Sequence, residues 1–497
     1  MLILILVKKM NLYKNMNKNI EYIKLKSGNN NDIIFRQVKH NGINITIIYC
    51  ESVCSLLTIN DFIMKSINLT KLKVGLFSNK FKLVKNSINS AKVSDVTTFE
   101  KLFYFLYAGF TCILIENVNK ALSTETRSIL DRGITTSITE PNIRGPKDSF
   151  TENYQKNVGL IRKRIKSESL WFDNFVIGKR SKTSISICYL NDVVEDNLVL
   201  DIKEKLNKID IDGILDITYL KGFLTNTSKS SFPTIMATER PDLCANAILD
   251  GKVVIICENS PFALVLPSFF IDFINPIEDN YQNPNNVNFM RVIRFISFFI
   301  TLLMPAYYIA IITYNQETIP TSLLINFTVQ RDAVPFPAFI EALIMMIVFE
   351  ILKEGDTRLP SAMGTSISIL GALILGDAAV NAGIVSPIMI IVIAITFISS
   401  LLFNKTEFVN SLRLWRFSFM LLASITGIYG IVIGTFILII HLSSIKTLGV
   451  PYLYPLSPIS IKAIKDMLFK SDKSKDLKRS SYLTNKNILK QRRKEND

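Results

Sequence analysis

The sequence predicts an α/β cytoplasmic region with two related subdomains, followed by an α-helical polytopic membrane domain. Three observations predict it. Long apolar runs are nearly confined to residues 291–442, whereas residues 1–290 have the mixed composition of soluble protein. The soluble part repeats itself at a spacing of 140–142 residues. Several apolar runs reach the ~20 residues that cover ~30 Å of hydrocarbon at about 1.5 Å per helical residue. The expected division is an extension at 1–32, subdomain one at 33–136, a linker helix at 137–170 and subdomain two at 171–290. A membrane domain of four to five helical segments at 291–442 and a basic tail at 443–497 follow.

The stretch MLILILVKK at the start has its lysines after the apolar residues. A signal peptide places charge first, so the soluble half is expected to stay in the cytoplasm. The repeat begins at Phe35 and Phe175. Lys39 meets Lys179, Ile45 meets Ile185, Ile47 meets Ile187, Tyr49 meets Tyr189 and Val53 meets Val193. The alternation I-x-I-x-Y predicts a half-buried strand in each copy. Farther along, AGFTCILIENVNKAL (Ala108–Leu122) lies against DGKVVIICENSPFAL (Asp250–Leu264). Each reads as a helix end, a Gly stop, a strand, a Glu-Asn turn and a second strand. Neither copy carries a phosphate-binding glycine loop.

Between the copies, Pro141 and Gly145-Pro146 interrupt regular structure, and Ser149-Phe-Thr-Glu152 forms a capping box that predicts a helix from near Phe150. Phe150, Tyr154, Ile161 and Ile165 can share one face of it. Two readings stay open: a solvated connector, or a docking segment presenting Glu140, Arg144, Gly145, Pro146, Arg162 and Arg164 to partners.

Val292–Thr313, Ile384–Phe403 and Phe417–Ile440 are the clear spans, Ser361–Ala382 is weaker, and Val334–Leu352 is the fifth. If all five cross, Lys405, Arg413 and Arg416 lie inside and the basic tail outside. If Val334–Leu352 is interfacial or only partly inserted, the tail returns inside and the 404–416 loop lies outside. The second is preferred, since the tail holds more charge and Val334–Leu352 carries the acids. The tail itself is expected to be disordered beside anionic headgroups.

Glu341 and Glu350 stand nine residues apart, about 180° around a helix, so they cannot share a face. A charge at mid-bilayer costs at least ~2.5–3.5 kcal/mol, so both must face protein, water or the membrane surface. Residues 361–383 are crowded with Gly, Ala, Ser and Thr, which permit close backbone packing in lipid. They fit tight packing inside one subunit. They equally fit a helix around an oligomer axis, lining a pore through Thr365, Ile369, Ala372, Leu373, Gly376 and Val380, with Asp377 near a mouth.

The formal charge of +15 has no basic stripe with interleaved aromatics, so no nucleic-acid partner is expected. The six cysteines show no zinc or disulfide spacing and read as reduced, buried side chains. His40 and His441 are the two histidines, and no HExxH or GxSxG is present. The sequence therefore predicts no enzyme, no metal and no cofactor.

Several blocks resemble the spore germination GerA family, the A subunits of germinant receptors. They are TEPNIRGPKDSFTENYQKNVGLIRKRI, ERPDLCANAILDGKVVIICENSPFALVLP and RDAVPFPAFIEALIMMIVFEILKEGDTRLPSAMGTSISILGALILGDAAVNAGIVSP, with LRLWRFSFMLLASITGIYG and LGVPYLYPLSP after them. The resemblance runs from about residue 35 to 468. It implies a multi-pass protein of the spore inner membrane, working with a transporter-like B subunit and a lipoprotein C subunit. It also implies a homo-oligomer acting as a ligand-gated channel that releases cations on nutrient binding. Alternatives within it are a non-conducting scaffold and a paralogous sporulation-operon protein. Two positions depart from the family pattern: Lys147-Asp148-Ser149 replaces the usual Arg-Glu-Gly, and Asp377 replaces a common Gln.

Overall fold

A computed structural model describes residues 10–40, 42–69, 80–90, 93–128, 140, 144–225, 230–358, 375–470, 479, 483–484 and 486–491. Helix α1 (Met16–Lys26) leads into the first sheet. That sheet comprises β1 (Ile33–His40), β2 (Ile43–Cys50), β3 (Val93–Val96), β4 (Phe110–Ile115) and β5 (Ala121–Glu125), in the order β1-β2-β4-β5-β3. Its helices include α2 (Lys80–Ser87) and α3 (Phe99–Tyr107). The second sheet comprises β6 (Leu170–Ile177), β7 (Thr183–Leu190), β8 (Met236–Thr238), β9 (Val253–Cys257) and β10 (Ala263–Leu266), in the order β6-β7-β9-β10-β8. Both sheets are antiparallel throughout and have one topology.

The repeat seen in sequence extends to the turns. Gly109 and Gly251 end α3 and α7 (Pro241–Leu249) at φ +85° and +94°. A Cβ at Gly109 would stand 2.9 Å from the Val53 carbonyl, so only glycine fits. Asn117 and Asn259 turn the two hairpins at φ +63° and +62°. The glutamate before each asparagine ties the turn to the neighbouring strand. Asn44 Nδ2 donates to Glu116 Oε2 at 2.7 Å, and Ser184 N donates to Glu258 Oε2 at 3.2 Å.

The central strands differ from expectation in being buried on both faces. In the second sheet, Ile185, Ile187, Val253, Ile255 and Leu264 face a core shared with α5 (Asp196–Asn207) and α6 (Tyr219–Leu224). Cys188, Val254, Ile256 and Val265 face another core, which continues through the linker helix α4 (Tyr154–Arg164) and α7 into the apolar helices. The linker is therefore no solvated connector. Its helix starts four residues later than expected, with Asn153 Oδ1 accepting from Lys156 N at 3.0 Å. Ser149 instead donates to the Glu239 carbonyl at 2.9 Å.

The helical half comprises α8 (Pro284–Thr313), α9 (Thr321–Arg331), α10 (Ala338–Arg358), a turn of helix at 375–381, α11 (Pro387–Ser400), α12 (Thr406–Thr426) and α13 (Ile428–Ser444). The 30-residue α8 is long and apolar enough to cross a membrane, and α11 and α13 are shorter apolar helices. Helix α8 is the spine: α10, α11, α12 and α13 all pack on it.

Two expectations are corrected here. The run Phe417–Ile440 is not one span but parts of two helices meeting at Gly427 (φ +65°). Gly430 and Gly434 let them fold back closely, since a Cβ would stand 2.3 Å from the Leu422 carbonyl or 2.7 Å from the Phe419 ring. The end of α8 seals this hairpin, with Tyr314 donating to the Ser424 carbonyl at 3.0 Å and Asn315 Oδ1 accepting from Ile428 N. Moreover, the 404–416 loop, expected on the side opposite the soluble half, lies against it through Lys405 and Ser411, while α10 packs among the other helices with Ala342, Met345 and Met346 buried.

With two helices in place of one, the start of α12 and the tail both reach the soluble half. Ser411 donates to the Ser231 carbonyl, Arg291 to the Met467 carbonyl at 3.1 Å, and Lys486 pairs with Asp196 at 2.5 Å. Ahead of the lysine-rich segment stand β11 (Lys446–Thr447), β12 (Val450–Pro451) and α14 (Ile461–Leu468); most of Lys470–Lys494, expected to be disordered, lies outside the described residues, and Leu483 within it is buried.

Arg162 of the linker helix pins the two subdomains together. It is 0% exposed. Its Nε donates to Asp32 at 3.1 Å, its guanidinium lies over Tyr107 and Phe172, and one terminal nitrogen reaches the Leu170 carbonyl. Asp32 also accepts from Ser52 N and Oγ, each at 2.9 Å. Arg162→Ala strands that carboxylate in the interior and is expected to cost about 3–5 kcal/mol, read as a lowered melting temperature of the purified chain. A second expectation concerns the free, buried cysteines. Burial pushes the Cys54 thiol up to about 11 and Cys257 to about 12. The unfolded chain releases these protons near pH 9, so the stability from the neutral buried thiols is full below about pH 9. It is lost as pH rises through 11 to 12, and thermal melts across that window check it.

Candidate functional site

The candidate functional surface is the seam where the second sheet meets the helices. It is built from charges in a largely dry environment. Arg240, at the start of α7, is 5% exposed and grips both oxygens of Asp242, at 3.1 and 2.7 Å. Its third nitrogen donates to Glu278 at 3.1 Å, and Tyr281 donates to Asp242 at 2.8 Å. Burial alone would raise the Asp242 carboxyl, but the hydrogen bond and charge of Arg240, with help from Tyr281, hold it below the usual carboxylate value.

One step on, Asp279 is 2% exposed and receives Arg291 Nε at 3.0 Å and two Arg294 nitrogens at 3.0 and 2.7 Å. Those arginines belong to the first turns of α8, so Asp279 fixes how the spine leaves the soluble half. Lys470 of the tail donates to the Asp279 carbonyl from another side. A second contact closes the seam at the turn between α11 and α12. Lys405, between α11 and α12, pairs with Glu140 and donates to the Ala237 carbonyl at 3.1 Å; Glu140 also accepts from Thr238 Oγ1 at 2.9 Å. Beside it Lys221 pairs with Glu407.

Inside the helical half both acids are sheltered, each by a different neighbour, as their opposite faces require. Glu341 is 0% exposed; Ser386 N and Oγ, at the start of α11, donate to one of its oxygens, and Arg331 lies 3.8 Å from the other. Glu350 accepts from Arg413 and Arg416 of α12, each at 3.1 Å. Beside that triad, Ile347, Ile351, Glu354 and Phe417 help line an open cleft of about 450 Å³.

Of the pore candidates, Thr365, Ile369, Ala372 and Leu373 lie outside the described residues. Gly376 is buried beside Ile390, Val380 is half-buried against the helical core, and Asp377 is exposed. Among the docking candidates, Arg144, Gly145 and Pro146 are exposed. Arg162 is a correction: it is an interior pin, unreachable by a partner. Arg164 is mostly committed within the chain, its guanidinium spanning both oxygens of Asp148 and donating to the Leu160 carbonyl. Asp148 thus keeps the charge that the family pattern places there as Glu. Glu140 does dock, but onto Lys405 of its own chain.

Sequence reasoning missed Arg240, Glu278, Asp279 and Lys405 as one site. The run Glu278-Asp279 shortly before Arg291 and Arg294 was the available signal, because acids just ahead of a basic helix start can fold back onto it. Nothing near Glu140 in sequence points to Lys405, 265 residues away.

Comparison with known proteins follows from this architecture. The family described as "GerA: Bacillus/Clostridium GerA spore germination protein" matches residues 21–482. The chain belongs to the GerA spore germination family. Spore germination protein KA of Bacillus subtilis (strain 168) is 34% identical over 477 residues, covering 95% of this chain and 88% of that protein. Spore germination protein GerLA of Bacillus cereus is 34% identical, covering 81% and 82%. Stage V sporulation protein AF of Bacillus subtilis (strain 168) is 28% identical, covering 97% and 98%. The crystal structure of the N-terminal domain of the A subunit of the Bacillus megaterium spore germinant receptor GerK3 is 29% identical. It covers 54% of this chain and 100% of that one, with a TM-score of 0.44.

The seam makes a quantitative expectation. Glu140 and Lys405 are 10% and 14% exposed at their side chains. In a double-mutant cycle of Glu140→Gln and Lys405→Met, their coupling is expected at about 1–3 kcal/mol, measured by thermal unfolding in detergent.

Proposed function

We propose that this chain is the A subunit of a germinant receptor in the spore inner membrane. It would transduce nutrient binding into ion release as one subunit of an oligomeric, ligand-gated cation channel. The partners are a transporter-like B subunit and a lipoprotein C subunit, as the family resemblance implies, and the soluble half faces the cytoplasm. The observation that carries the channel reading is Asp377. It is an exposed carboxylate between the apolar neighbours Leu375 and Ala379, with no ion pair to another described residue. The other two acids of the proposed bilayer region, Glu341 and Glu350, are sheltered inside the chain. Exposure of Asp377 to acyl chains would cost at least ~2.5–3.5 kcal/mol, so water or a neighbouring subunit must cover it. A ring of such carboxylates around an oligomer axis favours cations.

A second reading is a paralogous sporulation-operon protein. Its support is the nearly full-length similarity to Stage V sporulation protein AF. In either setting the chain could act instead as a non-conducting scaffold that couples a nutrient-binding partner to other germination proteins. Ion flux from liposomes carrying the purified chain, with and without partner subunits, separates conduction from scaffolding. Asp377→Asn is expected to lower cation-over-anion permeability several-fold while leaving assembly intact. Unchanged selectivity in a conducting assembly would remove Asp377 from the pore, and no conductance under any condition would leave the scaffold.

A further inference from the structure

We infer that α6 and the turn before it form an interfacial anchor, lying against the lipid headgroups of the leaflet that faces the soluble half. The inference rests on reading the helical half as bilayer-embedded. Helix α6 has two unlike faces. Leu220 and Leu224 are buried in the subdomain core. On the other side Leu215, Tyr219 and Phe223 are 72%, 46% and 43% exposed. Tyr219 and Phe223 are four residues apart and share one helix face. Three large apolar side chains directed away from their own core need an apolar or interfacial surface to cover them.

The position of α6 says which surface. Lys221 of α6 pairs with Glu407 in the first turn of α12. Just beyond α6, the Ser231 carbonyl accepts from Ser411 of α12, and Ser230 Oγ is 3.0 Å from His441 Nε2 near the end of α13. Thr218 lines a cleft together with Asn404, Lys405, Thr406 and Glu407. Thr218, Lys221, Ser230 and Ser231 therefore lie along the near ends of α12 and α13. Three residues beyond Ser411 stands Leu414, and one before His441 stands Ile440; these are 56% and 68% exposed. The apolar face of α6 thus lies beside helix surface that the bilayer reading assigns to lipid. Tyrosine and phenylalanine at that level match the aromatic belt of membrane interfaces.

Charge does not oppose this placement. Two acids of the preceding loop are paired, Asp210 with Lys179 and Asp212 with Arg180, and the charged Asp216 accepts from Thr218 N and Ser260 Oγ. Lys205 closes the end of α6 by donating to the Leu224 carbonyl at 2.8 Å. Asp216 is the one of these carboxylates without a cationic partner, and it is half-buried, with its oxygens taken up by Thr218 and Ser260 of its own chain.

Tryptophan quenching tests the anchor in the full chain. Trp171→Phe and Trp415→Phe clear the background, and Phe223→Trp, Ile440→Trp and Leu57→Trp are then placed one at a time. Each variant is reconstituted into phosphatidylglycerol–phosphatidylethanolamine vesicles with lipid brominated either near the headgroup or near the chain end. Phe223→Trp is expected to lose about half its emission to the shallow bromines and little to the deep ones. Ile440→Trp is quenched as part of the bilayer region, and Leu57→Trp, on the first subdomain, is not. Tyr219→Trp gives the same reading as Phe223→Trp should the latter fail to fold. Quenching of Ile440→Trp without quenching at 219 or 223 overturns the anchor alone. An unquenched Ile440→Trp overturns the bilayer reading and the anchor with it. Unquenched, blue-shifted emission at 223 assigns the face to a second copy of the chain and also overturns the lipid anchor.

Discussion

Asp279 holds the two halves of this protein in one orientation. Its carboxylate takes hydrogen bonds from Arg291 and Arg294, and its carbonyl takes one from Lys470. Those four residues come from the segment leaving the second sheet, from the spine helix α8 and from the tail. Ion pairs this dry gain little net stability over apolar packing, because desolvation offsets attraction. What they impose is register: any sliding of α8 along the sheet strands at least one buried charge. The neighbouring Arg240 cluster repeats the device, joining α7 to Glu278 just ahead of Asp279. The direction in which α8 departs, and with it the placement of every helix packed on α8, follows from these carboxylates.

The duplicated sheets are put to different uses. Both have the same strand order, the same positive-φ asparagine turns and the same glutamate strut. Only the second has a face built into the core that continues through α4 and α7 into α8, α11 and α12. The first keeps a core of its own. Its link to the second sheet runs through Arg162, whose guanidinium sits between an aromatic ring from each subdomain. A planar cation can bind both ring faces and a carboxylate edge at once, which a lysine could not do. Subdomain one therefore reaches the helices through the linker and subdomain two.

Much of this fold was legible because strand periodicity and turn chemistry are local signals. Gly109, Gly251, Asn117 and Asn259 announce their turns by backbone need alone, and the repeat made each copy corroborate the other. The apolar runs were legible as helices but not as separate helices. In Phe417–Ile440 the break at Gly427 hides inside a continuous apolar run, because Gly430 and Gly434 follow it closely and no charged or proline residue marks the turn. That single omission reversed the side assigned to the 404–416 loop. The pairing of the α10 acids was not legible for a related reason: their partners, Ser386 and Arg413 with Arg416, lie 45 to 66 residues away and carry no local signature. Long-range ion pairs are invisible to periodicity. So the candidate site was legible in its residue types and not in its pairing.

The seam has two contacts, and their spacing matters more than either alone. One is Asp279 at the start of α8; the other is Lys405 with Glu140 and Ala237 at the turn between α11 and α12. Both are rooted in the same rigid unit, since β8 carries Ala237 and Thr238, and Arg240 of the following turn grips Glu278 beside Asp279. A displacement of that unit cannot move α8 without also moving the α11–α12 turn, because close-packed interiors transmit strain instead of absorbing it. At the far end, α8 seals the α12–α13 hairpin through Tyr314 and Asn315. The helices are thereby clamped at both ends of the same spine. In between, the backbone hydrogen bonds of α10, α11 and α12 are satisfied within each helix, while the contacts between them rest on apolar packing and the Glu341 and Glu350 pairs. Motion imposed at the seam is therefore most cheaply accommodated as helix sliding in that middle zone.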